Sequence, residues 1–320
     1  MKSIILDTDM DADCDDAAAL AIANILVKRG EIKLLGVICN ALTEWGGSCI
    51  ETINKHYKNN DVPIGVLKIE DIKDDHITRF QKYYEHLKSL PPVILYNEHI
   101  GREVGKKACE YLSAVDVYRQ ILGQSEEKSV TICCIGFLTV LEQLLFSKPD
   151  KYSLLDGFQL IEQKVESIVC MANMEFPQGW ESFNWRVAAE SAENFVNNCP
   201  CAISVSSDGE EVLTGESLSR KLPKDNVLRR IYERYLQGES LNRPSWDQIA
   251  LIYSAGISKE KFKILSGSTL TYSAADNRCD WTQLKDGRRD KYVRLKVKNE
   301  EMAEYIENLM GCENEIVRRN

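Results

Sequence analysis

The sequence of 320 residues predicts an α/β protein, with an open, mostly parallel sheet and helices on both faces. Apolar runs typical of buried strands alternate with helical stretches up to residue 67, and the alternation returns after residue 129. This order favours parallel strands joined by right-handed helical crossovers. No linker or internal repeat divides the sequence, so we expect one domain over 1–320. A charged, aromatic segment at 68–100 is interpreted as a lid or insertion, or as a surface excursion.

The elements are assigned from the periodicity of the apolar residues. The predicted strands are 4–6, 33–39, 63–67, 129–134, 167–172, 202–206, 262–265 and 292–296. The predicted helices are 17–27, 49–58, 104–122, 188–196, 227–237 and 300–310, and two more begin near Leu141 and Gln248.

The composition narrows the range of partners and compartments. The net charge is −9 and no long basic block exists, so neither nucleic acid nor an anionic membrane is an expected partner. No apolar run reaches the roughly 18 residues of a membrane span, and the N-terminal apolar run is too short for a signal peptide. We therefore expect a cytoplasmic protein. Its eleven cysteines are expected to be free thiols, most of them in or beside apolar runs.

The most informative segment follows the first strand directly. Six aspartates lie within ten residues, between the Ile4–Leu6 strand and the helix that begins near Ala17. Open α/β sheets bind ligands at this kind of strand end. A bound divalent cation offsets the repulsion among the carboxylates better than a helix N-terminus does, and oxygen ligands favour Ca²⁺ or Mg²⁺. The aspartates are Asp7, Asp9, Asp11, Asp13, Asp15 and Asp16.

Two familiar carboxylate loops compete for this segment. An EF-hand is rejected because Ala12 stands at the position of the turn glycine and Ala18 at that of the bidentate glutamate. A phosphotransferase of the haloacid-dehalogenase type would use Asp7 as nucleophile and Asp9 as acid. That class also needs a lysine and a later aspartate pair at strand ends, which the sequence does not offer in recognisable form.

A third arrangement accounts for more of the chain. The string Asp7-Thr8-Asp9-x-x-x-Asp13-x-Asp15-Asp16-Ala17-x-Ala19-Leu20 resembles the N-terminal signature of one branch of the nucleoside hydrolase family. Three later segments resemble the same family in the same order. They are the Gly136–Thr139 turn, the aromatic and amide-rich loop at 171–184, and Trp246-Asp247 ahead of a helix.

This resemblance implies a nucleoside hydrolase-like fold and hydrolysis of the N-glycosidic bond of a ribonucleoside or related N-riboside, with Ca²⁺ as cofactor. It implies a small-molecule nucleoside substrate and a homodimer or homotetramer. The implied cation ligands are Asp9, Asp16, Asp247 and the backbone oxygen of Thr139, with Leu138 a rival to Thr139. Asp9 is also the implied base, with Asp11 and Asp13 as rivals. The implied substrate contacts are Asp13, Asp15, Asn40, Asn173, Glu181, Asn184 and Trp246.

Three departures from the family pattern concern the substrate. Trp246 stands where a histidine that protonates the leaving base is frequent, and tryptophan can stack on a ring but cannot protonate it. Ser182 replaces a glutamate, for which the adjacent Glu181 could substitute, and Ala172 replaces a glycine. These departures keep open an alternative, a catalytically impaired protein that binds ribose or a nucleoside without turnover.

Overall fold

The structure is a computed structural model, and it describes residues 1–11, 13–72, 82–83, 85, 95–283 and 288–312. Its strands are β1 Lys2–Thr8, β2 Ile32–Cys39, β3 Ile64–Val66, β4 Leu112–Ser113, β5 Val130–Cys134, β6 Val165–Met171, β7 Gln178–Trp180, β8 Ile203–Ser206, β9 Leu213–Thr214, β10 Arg243–Pro244, β11 Phe262–Ser273, β12 Arg278–Thr282 and β13 Asp290–Leu295. Its helices are α1 Asp15–Lys28, α2 Gly46–His56, α3 Tyr96–Gly101, α4 Ala114–Gln124, α5 Thr139–Leu145, α6 Gly157–Lys164, α7 Asn184–Val187, α8 Ala189–Asn198, α9 Leu218–Lys221, α10 Val227–Tyr235, α11 Trp246–Ala255 and α12 Asn299–Met310.

One sheet of eleven strands organises the described chain, in the order β4-β3-β2-β1-β5-β6-β8-β13-β11-β12-β7. The pairings from β4 to β13 are parallel, whereas β11, β12 and β7 extend the sheet with antiparallel pairings. Helices α1, α2, α11 and α12 form one layer, and α4, α5 and α6 form another. The predicted fold class is therefore confirmed.

The central strands β1 and β5 are apolar because both of their faces are covered by helices. Ile4, Ile5 and Leu6 are fully buried, and every residue of β5 is at most 1% exposed. Continuous apolar runs of this kind are typical of parallel strands inside an α/β protein. Both strands end at the same edge of the sheet, which brings the loop after Thr8 next to the turn after Cys134.

The predicted helix over 104–122 is wrong in its first half. Helix α4 begins only at Ala114, and a 3₁₀ turn at Ala108–Glu110 and strand β4 precede it. Backbone groups in this stretch bond to other elements, since the Ala108 amide donates to the Glu44 carbonyl and the Ser48 hydroxyl to the Lys106 carbonyl. Long-range partners therefore override the local helical periodicity.

The antiparallel end of the sheet was only partly predicted. Strand β11 continues to Ser273, well beyond the predicted residue 265, and β12 and β7 were not predicted at all. Much of the predicted lid or insertion at 68–100 lies outside the described residues, including His76 and His86. None of the helices in the described ranges is both long and apolar enough to cross a membrane.

Candidate functional site

Asp9 lies at the junction of two strand ends. The amide of Ile135, just after β5, donates to the carbonyl of Asp7, and this bond continues the β1–β5 pairing up to the acidic loop. A Cβ atom placed on Gly136 would lie 2.6 Å from the Asp9 nitrogen and 2.8 Å from its Cβ. Only glycine permits this close approach, so Gly136 serves to bring the two loops together.

Three carboxyl groups from two helices meet beside Asp9. Asp15 and Asp16 form the first turn of α1, and Asp247 lies in the first turn of α11, which packs on α1. Each of the three offers an oxygen within 4.8 Å of the others, and all three are buried. Asp9 is outside this set of three, but it lines the same cavity, and its charge adds to burial in raising the pKa of Asp16. The structure thus brings together Asp9, Asp15, Asp16 and Asp247.

Burial and mutual repulsion make this cluster costly when ionised. Burial raises the pKa of Asp9 well above its usual range, and Asp11 and Asp15 raise it further. Burial also raises the pKa of Asp247, again with the repulsion of Asp15 and Asp16 added to it. A divalent cation relieves these effects together, and all the donors here are the oxygen atoms that Ca²⁺ and Mg²⁺ prefer. The donor set therefore fits such a cation.

Arg243 supplies the positive charge at the rim of the cluster. Its Nε donates to both oxygens of Asp13, at 3.0 and 3.1 Å, and its Nη2 also contacts Asp13. The guanidinium carbon lies 5.3 Å from the ring centre of Trp246 and 5.5 Å from that of Tyr235. Sequence analysis assigned no role to Arg243, although its place four residues before Asp247 was the available signal.

The aromatic and amide-rich loop forms the opposite wall. The side-chain amide of Asn184 donates to the carbonyl of Ile135 at 3.0 Å, so the loop is tied to the strand end beside Asp9. Asn173 and Asn184 both line the cavity, and their contacts with a substrate remain predictions. Ser182 and Phe183 line it as well, and sequence analysis gave neither of them a contact with the substrate.

Three of the predicted residues do not line the cavity. Asn40 donates to Asp7 and accepts from the Phe137 amide, so its side chain is engaged inside the protein. Glu181 is buried, and one of its oxygens accepts the amides of Phe183, Trp185 and Arg186. Thr139 is buried at the start of α5. The predicted ligand and ribose contacts of these residues remain predictions.

The dehalogenase-type alternative is not favoured by the surroundings of Asp7. This residue is fully buried, and its carboxyl group accepts from the Tyr118 hydroxyl at 2.6 Å and from the Asn40 amide at 2.7 Å. Burial raises its pKa to about 7. A nucleophile must reach the substrate, whereas Asp7 does not line the cavity.

The cavity itself has a volume of about 300 Å³, within the range of small-molecule sites. Near it, the Tyr83 ring makes edge contacts with Phe137 and Phe183, so at least one residue of the 68–100 segment lies beside the site. The described lining residues are Asp9, Asp13, Asp15, Asp16, Ile135, Met171, Asn173, Ser182, Phe183, Asn184, Arg243, Trp246 and Asp247.

Solved structures of other proteins share this fold. No family model matches the sequence, and no curated protein matches it. Among solved structures, an inosine-uridine preferring nucleoside hydrolase from Bacillus anthracis is 19% identical, with a TM-score of 0.63 over 97% of this chain and 99% of that chain.

Two further structures are similar. A purine-preferring ribonucleoside hydrolase from Gardnerella vaginalis is 14% identical, with a TM-score of 0.69 over the whole of both chains. The type III effector protein XopQ, solved in complex with adenosine diphosphate ribose, is 11% identical, with a TM-score of 0.68 over 97% of this chain and 92% of that chain. The chain therefore has the nucleoside hydrolase fold.

Proposed function

We propose that this protein hydrolyses the N-glycosidic bond of a ribonucleoside or related N-riboside, giving free base and ribose, and that it requires a divalent cation, with Ca²⁺ the first choice. The observation that carries the proposal is the group of Asp15, Asp16 and Asp247, whose oxygens lie within 4.8 Å of one another. These three residues and Asp9 line one cavity. The fold shared with nucleoside hydrolases supports the reaction type.

The cation site is proposed to use Asp16 and Asp247, with Asp9 and the backbone oxygen of Thr139 completing it. Asp15 belongs to the same oxygen cluster. It is therefore a further candidate for a cation ligand, as an alternative to its proposed role as a contact to a ribose hydroxyl. When bound, a divalent cation supplies Lewis-acid activation of water and a fixed contact for vicinal hydroxyl groups.

The protein's own groups are proposed to divide the remaining work. Asp9 takes the proton of the attacking water, a contribution of about 10²–10⁴ in rate for a positioned base. The ribosyl group becomes cationic as the C1′–N bond breaks, and the surrounding carboxylates stabilise that charge. Asn173 and Asn184 orient the ribose, while Trp246 stacks against the leaving base.

The test is release of reducing sugar from a panel of nucleosides and from 4-nitrophenyl riboside, with Ca²⁺ and with a chelator. Asp9→Ala should abolish turnover, while Asp61→Ala, which changes an exposed aspartate before β3, should leave it unchanged. Turnover that survives both the chelator and Asp9→Ala contradicts the proposal. If no riboside is cleaved but Ca²⁺ still raises the melting temperature, the cation site stands and the hydrolysis is contradicted, which favours the alternative of a protein that binds ribose or a nucleoside without turnover.

Two broader expectations accompany this proposal. We expect 1–320 to behave as one domain, which a single cooperative unfolding transition would support and early proteolytic release of a stable fragment would contradict. We also expect a homodimer or homotetramer, to be measured by light scattering.

A further inference from the structure

Apart from its carboxyl groups, the described wall of the cavity offers no ordinary proton donor for a leaving base. It contains no histidine, lysine, cysteine or tyrosine among its described residues. Both oxygens of Asp13 accept hydrogen bonds from Arg243, so this carboxyl group is engaged in an ion pair at the rim of the cavity. The Arg243 guanidinium stays protonated throughout, because a neighbouring carboxylate favours its charged form.

Negative charge dominates the same wall. Five aspartates and one arginine line the cavity. When all five carboxyl groups are ionised, a bound divalent cation cancels two of these charges, and negative charge still remains in excess. The charge of Arg243 is already matched by Asp13, so the wall presents no unmatched positive charge to a ligand among its described residues.

Aromatic surface completes the site. Trp246 and Phe183 line the cavity, and the Trp246 ring already lies against one planar cation, the Arg243 guanidinium, at 5.3 Å. The faces of such rings attract cations, and tryptophan does so most strongly.

From these three observations we propose that the substrate is an N-riboside whose leaving group is itself a cation, a pyridinium or an N-alkylated purinium. The inference rests on the proposed function. Excess negative charge and aromatic walls favour binding of a planar cation. A cationic leaving group also needs no proton donor, and the described wall has no histidine, lysine, cysteine or tyrosine to act as one.

The chemistry of such a substrate balances without an acid. The C1′–N bond breaks and its electron pair stays on the ring nitrogen, which converts the cationic ring to a neutral base. A C1′–O bond forms from water, whose proton passes to Asp9 and then to solvent. An uncharged nucleoside instead releases its base as an anion, which must be protonated from somewhere in the site.

Two matched pairs of substrates test the proposal. The first compares 7-methylguanosine with guanosine, which differ in the charge of the leaving group. The second compares the 3-carbamoylpyridinium and 3-carboxylatopyridinium ribosides. Both have a pyridine leaving group that departs without an acid, but the two substrates differ in net charge. We expect kcat/KM to be at least tenfold higher for the more positive member of each pair, with 4-nitrophenyl riboside as the reference for intact hydrolysis.

The variant Asp13→Asn isolates the charge argument. It leaves the positive charge of Arg243 unmatched, so kcat/KM should fall by about tenfold more for the carbamoylpyridinium riboside than for 4-nitrophenyl riboside. Because both substrates are measured on one preparation, partial misfolding does not change their ratio. Asp61→Asn serves as the control and should leave the ratio unchanged.

A binding measurement does not depend on turnover. In the presence of Ca²⁺, 1-methylnicotinamide should bind about tenfold tighter than uncharged nicotinamide, with a charge-transfer absorption that Trp246→Leu removes.

Comparable turnover of guanosine and 7-methylguanosine would overturn the inference and leave the hydrolase standing, because an acid would then act from elsewhere in the chain. Tight pyridinium binding without cleavage of any riboside would support the ligand class and overturn the hydrolysis. Failure of both cleavage and binding would overturn both.

Discussion

Replacing Asp247 with asparagine should make the cation-free protein more stable, although it damages the site. The variant removes one of three carboxyl groups whose oxygens lie within 4.8 Å of one another. At an effective dielectric constant of about 20, two ionised groups at this separation repel by about 3.5 kcal/mol. Because a repelled carboxyl group takes up a proton instead of bearing the full repulsion, we expect the free energy of unfolding of the variant to rise by only about 1–3 kcal/mol.

The expected gain converts to a measurable temperature. Unfolding entropy of about 2.1 cal/mol/K per residue gives about 0.7 kcal/mol/K for 320 residues, so 1 kcal/mol corresponds to about 1.5 °C. Asp247→Asn should therefore raise the melting temperature in chelator by about 2–5 °C. With saturating Ca²⁺ the wild-type protein should have the higher melting temperature, because the cation stabilises it more than it stabilises the variant.

Asp290→Asn is the matched control, since Asp290 is also a fully buried aspartate. Its carboxylate is paired with Arg288 and accepts the amides of Ile203 and Leu270. Breaking a buried pair of this kind costs about 3–5 kcal/mol, so its melting temperature should fall by about 4–7 °C. Calorimetry in chelator gives both values. A fall for Asp247→Asn similar to that for Asp290→Asn would refute the idea that the cluster is held together against repulsion.

Three other outcomes are expected. Asp9→Asn should lower kcat by about 10²–10⁴ and, like Asp247→Asn, raise the melting temperature in chelator because it removes a carboxylate from the same repelling cluster, measured by sugar release and calorimetry; an unchanged kcat would remove Asp9 from the role of base. Because burial raises the pKa of Asp16 and Asp247 above their unfolded values, stability in chelator should fall as the pH rises above about 4, the ordinary pKa of an aspartate, and saturating Ca²⁺ should reverse this trend. Gly209→Ala should lower the melting temperature by about 2–4 °C and weaken substrate binding, since the new Cβ would lie 2.5 Å from the Trp246 Cα; an unchanged KM would contradict this contact.

The fold class was predictable because its signals are local. Apolar runs marked β1, β2, β5, β6 and β8, and each was found within a few residues of its predicted position. The antiparallel extension was not predictable in the same way. Strands β12 and β7 are short and contain charged or aromatic side chains, and their pairing with distant partners, not their own sequence, makes them strands.

The residues of the site were likewise only partly predictable from the sequence. Asp9, Asp15 and Asp16 could be grouped from the sequence, because a strand, a turn and a helix N-terminus that follow one another in the chain hold them together. The sequence linked Trp246 and Asp247 to this group only through the family resemblance. The packing of α11 against α1 is what brings Asp247 to Asp15 and Asp16 in the structure.

The sequence by itself determined a parallel α/β sheet and a concentration of carboxylates at the end of its first strand, since both depend on neighbours in the chain. Only the tertiary structure decided which side chains face the cavity. It turned Asn40 and Glu181 toward backbone and buried partners, and it set Arg243 against Asp13 beside Trp246. A polar side chain satisfies its hydrogen bonds with whichever groups packing brings near, and that choice is made between elements far apart in the sequence.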